Sequence, residues 1–238
     1  MRLKDSNKLL EIWKYALNQG ANVALMRHAP KAGGNESILS AEGERLAKEY
    51  RTVLNSVFDL DGNVEPVLLC TSKIRTGRTL QIIFPGIDPK TFVCKTDLDA
   101  NRISEAVERQ VVEIHKKVGH WRGFALNQTY HFLDKFGGKD EEEFLHTTTA
   151  ERMSREIKDL LVSGKTAVYC GHSPQIEAAA EKILGVNVSE FGGFLRPLDS
   201  LHLKINGGRA ELVARVNPIV DYEDAEADTF FGKKEESR

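Results

Sequence analysis

The sequence predicts an α/β fold: a three-layer, doubly wound, mostly parallel sheet with helices on both faces, an inserted cap segment and a C-terminal antiparallel hairpin. Three observations predict it. Short continuous apolar runs at Val23–Met26, Pro66–Cys70 and Thr166–Cys170 suit strands buried on both faces. Each run leads, after a few turn-forming residues, into a segment with an apolar stripe at helical spacing. Two alternating runs, Ser200–Ile205 and Arg209–Val216, then flank Asn206-Gly207-Gly208, the pattern of a hairpin.

Bulk properties bound the rest. With 238 residues, 41% of them hydrophobic, the chain can bury one ample core, expected over residues 1–220. Lys and Arg number 33 against 35 Asp and Glu, a net charge of −2, and no long basic block occurs. A nucleic-acid-coating or polybasic membrane surface is therefore not expected, while local clusters can still take small anions. No run approaches a membrane span or a signal peptide, so a soluble cytoplasmic protein is expected. Cys70, Cys94 and Cys170 each end a strand-like run; their odd number and wide spacing fit core thiols and neither a disulfide framework nor a zinc site.

Ser6–Gln19 places Leu9, Leu10, Trp13, Ala16 and Leu17 on one face, with Ser6 as the expected N-cap and Gly20 as the stop. The first strand follows and ends in Arg27-His28, with Pro30 and Gly33-Gly34 stopping extended pairing. Ser40 is the expected cap of a helix carrying Leu46, Tyr50, Val53, Leu54 and Val57. The second strand runs to Cys70, and Thr71-Ser72 supply capping oxygens for a helix to about Phe84 that bears Arg75 on its first turn. A third strand, Thr91–Cys94, precedes Asp97, Asp99 and a helix from about Ser104 to Val118. Residues 119–147 change character, with scattered aromatics and an acidic patch, and read as an insertion, either a cap over the sheet edge or a plain packing excursion. Thr148-Thr149-Ala150-Glu151 is a capping box for a helix to about Leu161. The fourth strand ends in Gly171-His172-Ser173-Pro174, with Ser173 as N-cap and Pro174 at the first helical position. Residues 221–238 read as a mobile acidic tail.

Four side chains are thus expected at one carboxyl sheet edge, where open α/β sheets bind ligands: Arg27, His28, Arg75 and His172. Guanidiniums bind phosphoryl oxygens through paired charge-assisted hydrogen bonds, and a neutral imidazole can attack phosphorus. Phosphoryl transfer through a phosphohistidine would use all four.

These residues also carry a resemblance. Leu25-Met26-Arg27-His28-Ala29 is similar to the Arg-His-Gly signature of the histidine phosphatase (phosphoglycerate mutase-like) superfamily. Leu39-Ser40-Ala41-Glu42-Gly43 resembles its Leu-Thr-x-x-Gly segment, Arg75-Thr76-Gly77-Arg78-Thr79 its Arg-Ala-x-Gln-Thr, and Gly171-His172-Ser173-Pro174 its second histidine, in the form closest to the small phosphohistidine phosphatases. Ser200-Leu201-His202-Leu203 is similar to the segment opening its closing strands, so the resemblance spans about residues 20–216.

The resemblance implies phosphorylation of His28, phosphate clamping by Arg27 and Arg75, and charge stabilisation by His172, with no metal and no cofactor. Asn35 and Ser173 are the further substrate-binding candidates. The departures are Ala29 for the glycine, Arg78 for the glutamine, an Asn35 displaced by one position, and Ser173 where the acid-phosphatase branch has its proton donor. Asp97, Asp99 and Glu105 are the donor candidates, or none is used. The implied activity is a metal-independent phosphatase acting on a phosphorylated small molecule or phosphoprotein, as phosphomonoester or phosphohistidine. A phosphoglycerate-type mutase and a non-catalytic phospho-ligand binding module are the alternatives.

Overall fold

A computed structural model describes residues 1–32, 38–58, 65–71, 73–91, 150–173, 175–193 and 195–220. Asn35, Cys94, Asp97, Asp99, Glu105, Pro174, the 119–147 insertion, the Thr148-Thr149 cap and the 221–238 tail lie outside the described residues.

Helix α1 spans Ser6–Asn18 and leads to strand β1, Val23–Arg27. Its cap is Asp5, not Ser6: the Asp5 carboxylate accepts from the backbone N–H of Asn7 at 2.9 Å and of Lys8 at 3.2 Å. Ser6 is already helical, so only the residue before it can reach the free N–H groups of the first turn. Helix α2, Ala41–Phe58, is capped as expected by Ser40, whose Oγ accepts from the Gly43 N–H at 2.9 Å. Strand β2 covers Val67–Cys70, helix α3 Ile74–Ile83 and strand β3 Lys90–Thr91. Helix α4, Ala150–Ser163, strand β4, Ala167–Gly171, and helix α5, Gln175–Leu184, follow. A 3₁₀ turn at Val188–Phe191 precedes the hairpin of β5, Ser200–Asn206, and β6, Arg209–Val216. Its two-residue turn, Gly207-Gly208, has φ of +56° and +80°, the left-handed pair a tight hairpin requires.

The six strands form one mixed sheet in the order β3-β2-β4-β1-β5-β6. β3, β2, β4 and β1 run parallel; β5 is antiparallel to β1 and β6 to β5. Strand alternation sends Ala24, Met26, Leu68, Cys70, Val168 and Cys170 to the layer formed by α1, α2 and α3. Val23, Leu25, Ala167 and Tyr169 go to the layer of α4 and α5. The parallel strands are therefore covered on both faces, which is why they read as unbroken apolar runs. Leu25, Leu46 and Leu80 are fully buried, and each such side chain contributes about 1.5–3 kcal/mol. Cys70 and Cys170 are buried within this core.

One packing contact fixes the chain just beyond β1. The Pro30 carbonyl accepts from the Ser40 backbone N–H at 3.0 Å and from Ser40 Oγ at 3.2 Å, drawing the start of α2 onto the segment that follows His28. Gly43 makes this approach possible, since a Cβ there would lie 2.0 Å from the Pro30 oxygen. The obstacle is backbone, so it cannot swing aside. Gly43→Ala is expected to lower stability by about 2–3 kcal/mol despite alanine's better helix propensity, measured as a shift in the urea midpoint. An unchanged or raised midpoint would show that α2 can move away at no cost.

Candidate active site

The register of the parallel strands assembles the site. β1 and β4 align Arg27 with Gly171, and β2 and β4 align Cys70 with Cys170. The residues that come next, His28, His172 and Thr71, therefore emerge together at one edge. The His28 backbone N–H extends the ladder by donating to the Gly171 carbonyl at 3.2 Å. Behind it, Thr79 Oγ1 accepts from the Ala29 N–H at 3.1 Å and donates to the Arg75 carbonyl at 2.7 Å, tying the turn after β1 to the first turn of α3.

Arg75 reaches between the two histidines. Its Nε lies 3.0 Å from His28 Nε2, and its Nη2 lies 3.2 Å from His172 Nδ1. The imidazole rings are 5.1 Å apart in an edge-on arrangement.

The hydrogen-bond partners settle both tautomers. His28 Nδ1 sits 2.6 Å from the Ala29 carbonyl, which can only accept, so Nδ1 carries the proton and Nε2 keeps its lone pair toward Arg75. His172 Nδ1 faces a guanidinium, which can only donate, so the neutral ring carries its proton on Nε2, 2.9 Å from Thr71 Oγ1. Thr71 in turn donates to Thr76 Oγ1 at 3.0 Å, and Thr76 donates to the Lys73 carbonyl at 2.7 Å.

Thr71 was expected to cap α3. Instead α3 begins at Ile74, Lys73 occupies the cap position but its side chain does not cap the helix, and the Thr71 hydroxyl serves His172. The sequence signalled only a polar residue at a strand end; which partner it would take depended on β4 lying beside β2.

Arg27 is held differently. Its backbone N–H donates to the Asp199 carbonyl at 2.9 Å, its carbonyl accepts from the Leu198 N–H at 3.1 Å, and Nη1 donates to the Leu195 carbonyl at 2.6 Å. Its Nε is buried with no hydrogen-bond partner among the described residues. A buried guanidinium with an unmet donor suits an anion. Ser173, the substrate-binding candidate after His172, donates its hydroxyl proton to the buried carboxyl of Glu177 at 2.7 Å. Arg78, which stands where the pattern the sequence resembles has glutamine, pairs with Glu44 at 3.1 Å between α3 and α2.

Burial first, then Arg27, Arg75 and Lys31, lower the pKa of His28 to about 3 against the opposing bond to Ala29. Burial, followed by Arg75, His28, Arg27 and Lys73, puts His172 well below its ordinary value. Both rings are thus neutral at pH 7 in a field of cations, an environment that suits an anion. Among the described residues no cluster of three His, Cys, Asp or Glu could hold a metal ion, and no helix is long and apolar enough to cross a membrane.

Acid should unfold this protein early. His202, lowered to about 3 by burial, joins His28 and His172 as a neutral buried ring. The unfolded chain protonates these near 6.5 and the folded chain far lower, so their stability is complete above pH 6.5 and lost as pH falls toward 3. Burial raises Glu177 and Asp199, which work in the opposite sense but are two against three. A net decline of about 1–4 kcal/mol per pH unit is expected below pH 6, at about 1.4 kcal/mol per proton. Denaturant midpoints between pH 7 and pH 5 measure it, and His202→Asn should flatten the slope; a level profile would contradict the neutral-ring assignment.

No protein-family model matches the sequence, nor does any curated protein. Solved structures do. The phosphoserine phosphatase of Entamoeba histolytica, solved with 3-phosphoglyceric acid, is similar over 82% of this chain and 96% of its own at 14% identity, with a TM-score of 0.50. The SixA protein of Agrobacterium tumefaciens is similar over 84% of this chain and 99% of its own, at 13% identity and a TM-score of 0.47. The protein histidine phosphatase SixA solved with tungstate is similar over 82% and 96%, at 12% identity and a TM-score of 0.47. Over most of its length, the chain has the fold of the Entamoeba histolytica phosphoserine phosphatase.

Proposed function

We propose that this chain is a phosphatase that moves a phosphoryl group from a phosphomonoester or phosphohistidine to His28 and then to water, without a resident metal. The observation that carries the reading is the contact of His28 Nδ1 with the Ala29 carbonyl at 2.6 Å, from which the tautomer follows. With Nδ1–H bound to the Ala29 carbonyl, the ring is fixed and Nε2 presents its lone pair beside Arg75 Nε at 3.0 Å. A phosphoryl group entering there takes the Arg75 donors from the two rings and the free Nε of Arg27, so its developing charge meets guanidiniums already in place. Nε2 forms a bond to phosphorus as the bond to the leaving group breaks. Water then attacks phosphorus, the P–N bond breaks, and Nε2 recovers its lone pair.

Once a dianion is bound, its charge favours a proton on the site-facing Nδ1 of His172, which then donates to a phosphoryl oxygen while the outer nitrogen stays held by Thr71. A protein or small-molecule phosphohistidine asks least of a separate acid, because its leaving nitrogen is readily protonated. Trapping the enzyme with an aryl phosphate by rapid quench at alkaline pH should yield a mass increase of one phosphoryl group on the peptide carrying His28. Turnover should survive a chelator. Anion binding without phosphoenzyme or turnover would favour a binding module, and movement of label within a bisphosphorylated substrate would favour a mutase.

A further inference from the structure

Glu177 stands apart from the groups already given a role, although it lies five residues beyond His172. Its side chain is fully buried on α5, in the apolar layer that holds Ile176, Ala179, Ala180 and Leu195. Oε1 accepts from Ser173 Oγ at 2.7 Å and from the Leu195 backbone N–H at 2.7 Å, while Oε2 has no partner among the described residues. A carboxyl with one oxygen unmet is costly there, and an apolar side chain of similar volume would pack at less cost. Packing alone does not call for it.

What it holds is the support of Arg27. The Leu195 carbonyl is the acceptor for Arg27 Nη1, and the N–H of the same peptide group, that of Arg196, is taken by Asp199 Oδ2 at 3.0 Å. Asp199 is fixed in turn by Arg215 at 3.0 Å. Two successive peptide groups are therefore pinned by two buried carboxyls, and the carbonyl between them is aimed at Arg27. Leu198, in this segment, has a φ of +67°, the one positive value outside glycine among the described residues. Such a backbone persists only where its surroundings hold it.

We propose that Glu177 is a positioning residue that sets the aim of Arg27 through Leu195 and, through Ser173, locks Arg27 and the turn after His172 into one unit. The inference rests on the reading of Arg27 and His172 as phosphoryl-binding groups. Tungstate, a tetrahedral oxyanion, serves as probe, with calorimetry on the full chain at pH 7 and thermal midpoints measured in parallel. Glu177→Gln keeps the shape and one acceptor oxygen but places an amide donor where Oε2 was. It should weaken tungstate binding about tenfold without lowering the thermal midpoint. Ser173→Ala, which removes one of the two bonds to Oε1 and leaves the carboxyl itself intact, should weaken it about threefold and keeps the test open if the glutamine variant does not fold. A parent that binds tungstate as tightly as both variants would overturn the positioning role and leave the phosphatase reading standing. A parent that binds no tungstate would overturn the phosphoryl-site reading and the inference with it.

Discussion

His28→Ala is expected to abolish hydrolysis of an aryl phosphate, a fall of roughly 10⁴–10⁶ in kcat, the scale seen when a covalent nucleophile is removed. The ring is 5% exposed and bonded at both nitrogens, so its Nε2 is already oriented before substrate arrives. On the proposed reading, alanine takes away the phosphoryl acceptor and leaves Arg75 beside a cavity. The same change removes a ring that burial keeps neutral, so acid stability should improve even as turnover is lost. Catalysis and stability therefore move in opposite directions, which separates a missing nucleophile from general unfolding. Steady-state kinetics and denaturant midpoints at pH 7 and pH 5 read the two effects. Residual turnover within tenfold of the parent would exclude His28 as the attacking group.

Arg75→Ala should cost roughly 10²–10³ in kcat, as expected for loss of a preorganised donor to a charged transition state. One side chain spans both rings, with Nε on His28 and Nη2 on His172, a reach that follows from the planar fork of the guanidinium. Arg75→Lys retains the charge but offers one point donor, so it should recover less than a tenth of the lost rate. Full recovery by lysine would mean that the field of a cation suffices and that the fork has no role. Removing Arg75 should also raise the pKa values of His28 and His172, because it is among the groups that lower them. Titration of the ring protons by NMR in the resting enzyme would show that rise.

Local patterns were legible wherever the chemistry is itself local. The apolar block ending at Met26 implied a strand with Arg27 and His28 at its exit, because a chain covered on both faces has no polar residues until it emerges. Ser40 as a cap and the Gly207-Gly208 turn were legible for the same reason: each depends on neighbours within a few residues. The α1 cap was misplaced by one residue, since Asp5 and Ser6 are both capping types and only backbone geometry separates them.

The distant partnerships were not legible. Thr71 and His172 are separated by 101 positions, Arg75 and His172 by 97, and Arg75 and His28 by 47. Glu177 sits in the α5 segment between Ile176 and Ala178 and offered no periodicity signal; only burial against Leu195 and Ser173 distinguishes it.

By itself, the amino-acid sequence determined that strands end in histidine and arginine, that turns and helices follow them, and that a hairpin closes the sheet. Only the tertiary structure decided that β4 lies between β2 and β1 in register with both, which nitrogen of each imidazole carries the proton, and which peptide braces Arg27. The physical reason is range. Periodicity, capping and turn chemistry act over a few residues, whereas strand order, tautomer and buried pairing are set by whichever groups remain to satisfy one another once the core has closed.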